Sequence, residues 1–496
     1  MKKLTLVVAV AVLTAACTEA ATVTVPTHNP LRPSLAMASG PGPTEISRPN
    51  AVGACNTGND PFGTWSNDHA EEPFVAANPL HSGNIVAAWI QGPFQDINAA
   101  VSFDAGQNWQ QVPLPLTICA GGSYTVTGDP WLSFAPNGDL YAIALVQNTS
   151  SDRAVLVTKS NDGGLHWSPA IEIPGSATLD PPADHPSITA DPTNPSYVYA
   201  IWNGNSSTHT TSAVFTWTTD GGATWEPPRD IVVTRPQSYI QFNQIVVLPN
   251  GTLVELYEFY QDQPNLPPTF TNLQVLRSTD HGQTWSPSMN SVTMTPIYRP
   301  DGSAHLLVVD PETRQLVSDV GNPSFAVDGR NGNLYAVWED GRFSNFQYSD
   351  IAFSMSADGG VTWSAPVRVN QTPLNIPLLN RQAIFPNVAV ASNGVIGVSY
   401  YDFRFNDGKP GVPTDRWLVQ YQPSLTNPAT SSASWGNEVR LTNTSFNLET
   451  VLPTLGGGFF LGDYFALASA GNAFVSVFSA VDTQNVTSTF FRRVGQ

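Results

Sequence analysis

Seven times along the chain, a short apolar strand passes through a polar or glycine-containing turn into a second strand of alternating apolar and polar residues. The first strands open around Glu72, Asp129, His185, Gln244, Asn322, Phe385 and Asp463. Asn84-Ile85-Val86-Ala87-Ala88-Trp89 and Asn333-Leu334-Tyr335-Ala336-Val337-Trp338 are typical second strands. A period of two predicts strands with one face toward a core, and no long stretch after residue 20 keeps the 3.6-residue period of a helix.

Five of the repeats continue into the pattern Ser/Thr-x-Asp-x-Gly-x-x-Trp: Ser102 to Trp109, Ser160 to Trp167, Thr218 to Trp225, Ser278 to Trp285 and Ser356 to Trp363. The Asp carboxylate suits a turn in which it accepts hydrogen bonds from amides two or three residues on. The Gly supplies a positive φ, and the Trp lays its ring back on the sheet. Asp104, Asp162, Asp220, Asp280 and Asp358 are therefore read as structural turn residues.

The Trp-to-Trp spacings are 58, 58, 60 and 78 residues. A period near 60 with four short strands per unit predicts the blades of a β-propeller. The long interval carries an insertion around Pro287 to Val320. The sixth repeat keeps only Ala433-Ser434-Trp435 where a box belongs, and the seventh runs out after Val494, one strand short. The expected fold is an all-β propeller of seven four-stranded blades, with six as the rival count. The missing strand is expected from the segment just before Glu72, because a borrowed strand removes an exposed edge.

Composition agrees with many short strands joined by tight turns: 42 Pro, 38 Gly and 13 Trp, with only 12% charged residues. The formal net charge is −18, which repels phosphate backbones and argues against a nucleic-acid partner. Met1-Lys2-Lys3 and the apolar run Leu4 to Ala16 read as a secretory signal over 1–16, ending in a bacterial lipobox-like Leu13-Thr14-Ala15-Ala16-Cys17. Lipidation of Cys17 would make this an exported cell-surface or outer-membrane lipoprotein, attached to the membrane only by that anchor; plain secretion is the alternative. Residues 17–60, rich in Pro, Thr and Ala, read as a tether, and 61–496 as the propeller. In an oxidising compartment Cys55 and Cys119 are a natural pair, and closing a loop of that length stabilises by roughly 4 kcal/mol.

Strand direction sorts residues onto faces. If the first strand of each blade runs from top to bottom, the Asp motifs lie at the bottom. The residues before the first strands and after the second strands then share the top, around the central channel. These are Glu71 and Glu72, Asp129, Asp184 and His185, Asn243, Asn322 and Asp463, then Asp340 with Arg342 and Asp402 with Arg404. Carboxylates there suit general acid–base work and arginines suit binding of acid groups. An Asp-x-Arg after a strand also suits a salt-bridged blade rim. A ring of acids could hold Ca²⁺, but no EF-hand-like spacing supports one, and no zinc site, phosphate loop or nucleophile elbow is evident. No cofactor is expected.

The five motifs resemble the Asp box, or bacterial neuraminidase repeat, of the sialidase superfamily, and the resemblance covers roughly residues 70 to 496. Propellers of that kind include sialidases, other glycosidases, sorting receptors and assembly factors, with the box remote from the active site. The resemblance implies a carbohydrate-active enzyme, a glycoside hydrolase or exo-α-sialidase-like protein, working at the channel mouth. A non-catalytic cell-surface propeller binding glycan or protein is the alternative. The resemblance places a nucleophile at Tyr464 and part of an arginine triad at Arg342 and Arg404, and the top-face positions add Asp340 and Asp402 as catalytic candidates and Glu72, Asp129, Asp184 and His185 as substrate contacts. One position departs: where sialidases open the first blade with an Arg-Ile-Pro type motif, this chain has Glu71-Glu72-Pro73. An anion there repels a sialic acid carboxylate, so neutral or differently charged sugars are the better expectation.

Overall fold

The computed structural model describes residues 42–53, 55, 66–149, 152–176, 183–205, 211–236, 238–261, 270–295, 297–298, 304–305, 308–318, 323–421, 435–453, 458–463 and 465–495. Its strands form seven antiparallel blades around a central channel, and among the described residues regular helix is confined to single 3-10 turns. The first strands of blades 1 to 7 are Ala70–Ala77, Val126–Phe134, Ala183–Ala190, Ser238–Val247, Ser324–Val327, Ala383–Val390 and Ala466–Ala470. The count is seven, not six.

The second strands depart from simple alternation. Ile85–Gln91, Leu334–Asp340 and Ile396–Asp402 are buried at every position, polar ends included. Each is covered on both faces by neighbouring blades, so alternate residues enter different cores. Leu334, Ala336 and Trp338 pack toward blade 4, while Tyr335 and Val337 pack toward blade 6. Blade-to-blade packing therefore holds the ring together, with Trp89, Trp202, Trp338 and Trp417 fully buried in it.

The Asp motifs join third to fourth strands, on the side away from the channel mouth. Each carboxylate reaches further along the turn than the expected two or three residues. Asp358 Oδ1 accepts from Thr362 N at 2.9 Å and Ser356 Oγ at 2.8 Å, and Ser356 Oγ in turn accepts from Gly360 N at 2.8 Å. Trp363 Nε1 donates to Gly360 O at 3.1 Å. The broken sixth motif still delivers its ring: Trp435 is buried, edge-on to Phe353 at 5.1 Å.

Closure comes from a different place than expected. Thr44–Glu45 pairs antiparallel with Thr487–Val494 and completes blade 7, so the closing strand lies inside the stretch read as tether and not just before Glu72. Ile46 is buried between blades 7 and 1, and Arg48 pairs with Asp482 at 2.8 Å. Cys55 and Cys119 are disulfide-bonded with Cα atoms 5.8 Å apart, tying the same segment to the loop after blade 1. Cys17, with the signal segment 1–16, lies outside the described residues.

Candidate functional site

At the top of the channel the first strands do something unusual. In blades 1, 2, 3, 4 and 6 the ladder slips by one residue, between Glu71 and Phe74, Gly128 and Trp131, Asp184 and Ser187, Gln241 and Gln244, and Ile384 and Asn387. At each slip one non-glycine residue takes a left-handed conformation: Glu72 (φ 50°), Asp129 (56°), His185 (51°), Phe242 (54°) and Phe385 (52°). Such a backbone costs of order 1–3 kcal/mol for a side-chain-bearing residue and clusters where function needs a re-aimed side chain. Proline follows four of the five, and having no N–H it loses no ladder bond when the bulge lifts it from its neighbour.

The bulges turn a set of acids and one imidazole into the mouth. His185, whose side chain is only 9% exposed, sits among them. Its Nδ1 is 3.5 Å from Asp184 Oδ2 and its Nε2 is 3.6 Å from Asp463 Oδ2, while its amide donates to Asp129 Oδ2 at 3.2 Å. Glu72 Oε1 accepts from Asp463 N at 3.1 Å, leaving Oε2 buried without a hydrogen bond, and neither oxygen of buried Glu71 has one. One connected group thus spans blades 7, 1, 2 and 3. Gly462 makes it fit: its φ is 107°, and a Cβ there would come within 2.9 Å of the Glu72 amide nitrogen.

The electrostatics follow from burial. Burial works against charge on His185, but Asp184, Asp463 and Asp129 outweigh it and push the imidazole up to about 9. Burial, then repulsion from Asp184, raises Asp129 to about 6. Glu72 is driven well up by burial, Asp129 and Asp463, and Glu71 by burial and Asp463. Asn203 Nδ2 lies 3.1 Å from His185 Nδ1, and Asn203 Oδ1 in turn accepts from Asn243 Nδ2.

Beneath the acids lies a cavity of about 110 Å³ with aromatic walls. Phe74 and Trp131 stack at 4.1 Å on one side, Phe242 stacks on His185 at 4.9 Å, and Phe385 and Phe465 meet at 4.9 Å on the other. No arginine lines it among the described residues. The aromatic wall was missed in the sequence; its trace is the Glu-Pro-Phe, Asp-Pro-Trp and Phe-Pro-Asn series at one register.

Of the expected site residues, Glu72, Asp129, Asp184 and His185 come together, and Tyr464 lies outside the described residues. Asp340, Arg342, Asp402 and Arg404 do not join them: in place of the catalytic and binding roles named for them they form the salt-bridged rim that an Asp-x-Arg after a strand also suits. Asp340 accepts from Trp338 Nε1 at 2.6 Å, Arg342 Nε at 2.8 Å and Thr295 N at 3.0 Å. Asp402 accepts from Arg404 Nε at 2.7 Å, Thr372 Oγ1 at 2.7 Å and Trp417 Nε1 at 3.0 Å. Arg404, 3% exposed, is also paired with Glu438 and lies 3.7 Å over Trp417. Residues two apart on a strand share a face. Asp340, two places after the inward Trp338, therefore turns into the blade and caps that indole, while Asp402, two places after the buried Tyr400, caps Trp417 of the neighbouring strand. These are closed structural clamps. Among the described residues no group of three His, Cys, Asp or Glu is arranged to hold a metal ion.

The family model for the BNR/Asp-box repeat matches residues 276–287, the motif around Asp280. No curated protein matches the chain. Among solved structures, an α-L-arabinofuranosidase from Fusarium graminearum is 14% identical, aligned over 83% of this chain and 99% of that one, with a TM-score of 0.46. A Hadza microbial sialidase is 15% identical over 83% and 76%, with a TM-score of 0.45. The intramolecular trans-sialidase from Ruminococcus gnavus is 13% identical over 89% and 98%, with a TM-score of 0.43. These neighbours are glycoside hydrolases of low identity to this chain.

Proposed function

We propose that the chain is a glycoside hydrolase acting on a neutral terminal sugar at the acidic channel mouth. One observation carries this: Asp184 and Asp463 flank the His185 ring, Asp129 and Glu72 are joined to them through backbone amides, and an aromatic-walled cavity with no arginine among its described lining residues adjoins the group. Glycoside hydrolysis needs a protonated acid for the leaving oxygen and a second carboxylate acting as base or nucleophile. Asp129, raised to about 6, holds its proton closer to neutrality than an ordinary aspartate and takes the acid role. Asp184 and Asp463, each with a side chain 41% exposed on opposite edges of His185, are placed to supply the second carboxylate. Aromatic faces below suit a sugar ring without charge, whereas an anionic sugar meets repulsion and no arginine.

The test is a panel of aryl glycosides of neutral pentoses and hexoses beside an aryl sialoside, assayed from pH 4 to 8. Turnover of at least one neutral glycoside, declining as pH rises through about 6 while Asp129 loses its proton, is expected. Efficient sialoside turnover with none of the neutral sugars would overturn it. Saturable sugar binding without any turnover would make the mouth a non-catalytic glycan site.

A further inference from the structure

The third strand of blade 6, Pro413–Tyr421, buries a guanidinium with no acid to answer it. Arg416 is 0% exposed. Its Nη2 donates to Asn387 Oδ1 at 2.5 Å and Ser399 Oγ at 3.0 Å, and its Nε reaches Ser476 Oγ at 3.4 Å. Nη1 has no hydrogen-bond partner. None of the ion pairs among the described residues includes Arg416. The ring faces of Tyr401 and Phe465 cover it at 4.5 and 5.3 Å.

Ring faces soften a buried charge, but they contribute less than the cost of taking an ion out of water. A carboxylic acid in this predicament keeps its proton. Glu255, fully buried with neither oxygen hydrogen-bonded, is driven that way by burial. Arginine has no such exit, because its guanidinium stays charged in proteins. Two of the residues touching Arg416, Asn387 and Phe465, also line the central cavity, so a small solute in the channel comes within one side chain of the guanidinium.

We propose that Arg416, with Asn387, Ser399 and Ser476, binds one small monovalent anion, of halide or formate size, at the wall between blades 6 and 7. The anion accepts from Nη1 and neutralises the buried charge one for one. The surrounding groups are otherwise neutral, so a divalent ion would leave excess charge. This site stands whether or not the mouth is catalytic.

The experiment is thermal unfolding of the whole chain across a chloride series and a formate series, each held at constant ionic strength with bulky gluconate. The midpoint is expected to climb with the logarithm of the small anion, as binding to the folded state requires. The climb should vanish in Arg416→Met, which keeps length and loses charge. A response to formate alone keeps the site and makes its ligand a carboxylate. Should Arg416→Met fail to fold, bromide located by anomalous scattering in crystals of the unaltered protein decides, with a peak against Nη1 expected. A midpoint that stays flat across both series, a response retained in Arg416→Met, or bromide only at the outer surface refutes the site.

Discussion

Asp129 and Asp280 are the same residue type held in opposite ways, and pH separates them. The Asp280 carboxylate accepts from Thr284 Oγ1 at 2.6 Å, Thr284 N at 2.9 Å and Ser278 Oγ at 2.7 Å, which lowers it to about 2. Asp104 and Asp220 are lowered likewise. The motifs therefore contribute stability that is present above about pH 4 and lost as pH falls toward 2. Asp129, raised to about 6, carries the other sign: its contribution is full below about pH 4 and lost as pH rises through 6. His185 behaves similarly, with its share complete below pH 6.5 and lost as pH rises through about 9. Carboxyl carbon NMR of labelled aspartate should resolve one group near 6 apart from motif groups near 2; Asp129 titrating near 4 would count against the mouth as described. Asp358→Ala should destabilise by about 1 kcal/mol, since its amide partner is partly solvated. A melting temperature equal to wild type would contradict that.

At the scale of elements, the motif turns and the strand count were legible because five near-identical octets fix a register. The bulges were not. Asp129-Pro130 and His185-Pro186 look like ordinary turn initiation in a sequence, and only the slipped ladders show that their side chains are re-aimed into the channel. The arginines misled for a related reason: Arg342 and Arg404 follow second strands as expected, but Asp340 and Asp402 lie on the inward faces of their strands and hold them. The closing strand was hidden by its brevity, Thr44–Glu45 within a proline-rich run. Deleting residues 42–49 should expose the edge of Thr487–Val494, lower the melting temperature and promote aggregation, read by differential scanning fluorimetry with light scattering. An unchanged melt would mean the propeller closes without it. Gly462→Ala should push Glu72 out of place and lose turnover, at a cost in stability of about 1–3 kcal/mol for its positive φ. Full activity in that variant would separate Glu72 from the working mouth.

For the molecule as a whole, the propeller assigns its two sets of acid–base residues to different tasks. Acids and His185 at the heads of the inner strands of blades 7, 1, 2 and 3 face the channel, while Asp340/Arg342 and Asp402/Arg404 fasten blades 5 and 6 from within. The most direct measurement pairs one residue from each set, using whichever neutral glycoside the panel yields. In Asp129→Asn, kcat should fall by about 10²–10⁴ with little change in melting temperature. In Arg404→Met, which leaves Asp402 and Glu438 buried without their cation, melting temperature should fall steeply while the folded fraction keeps its kcat. The reverse pattern, with turnover surviving in Asp129→Asn and lost from a stably folded Arg404→Met, would contradict the account.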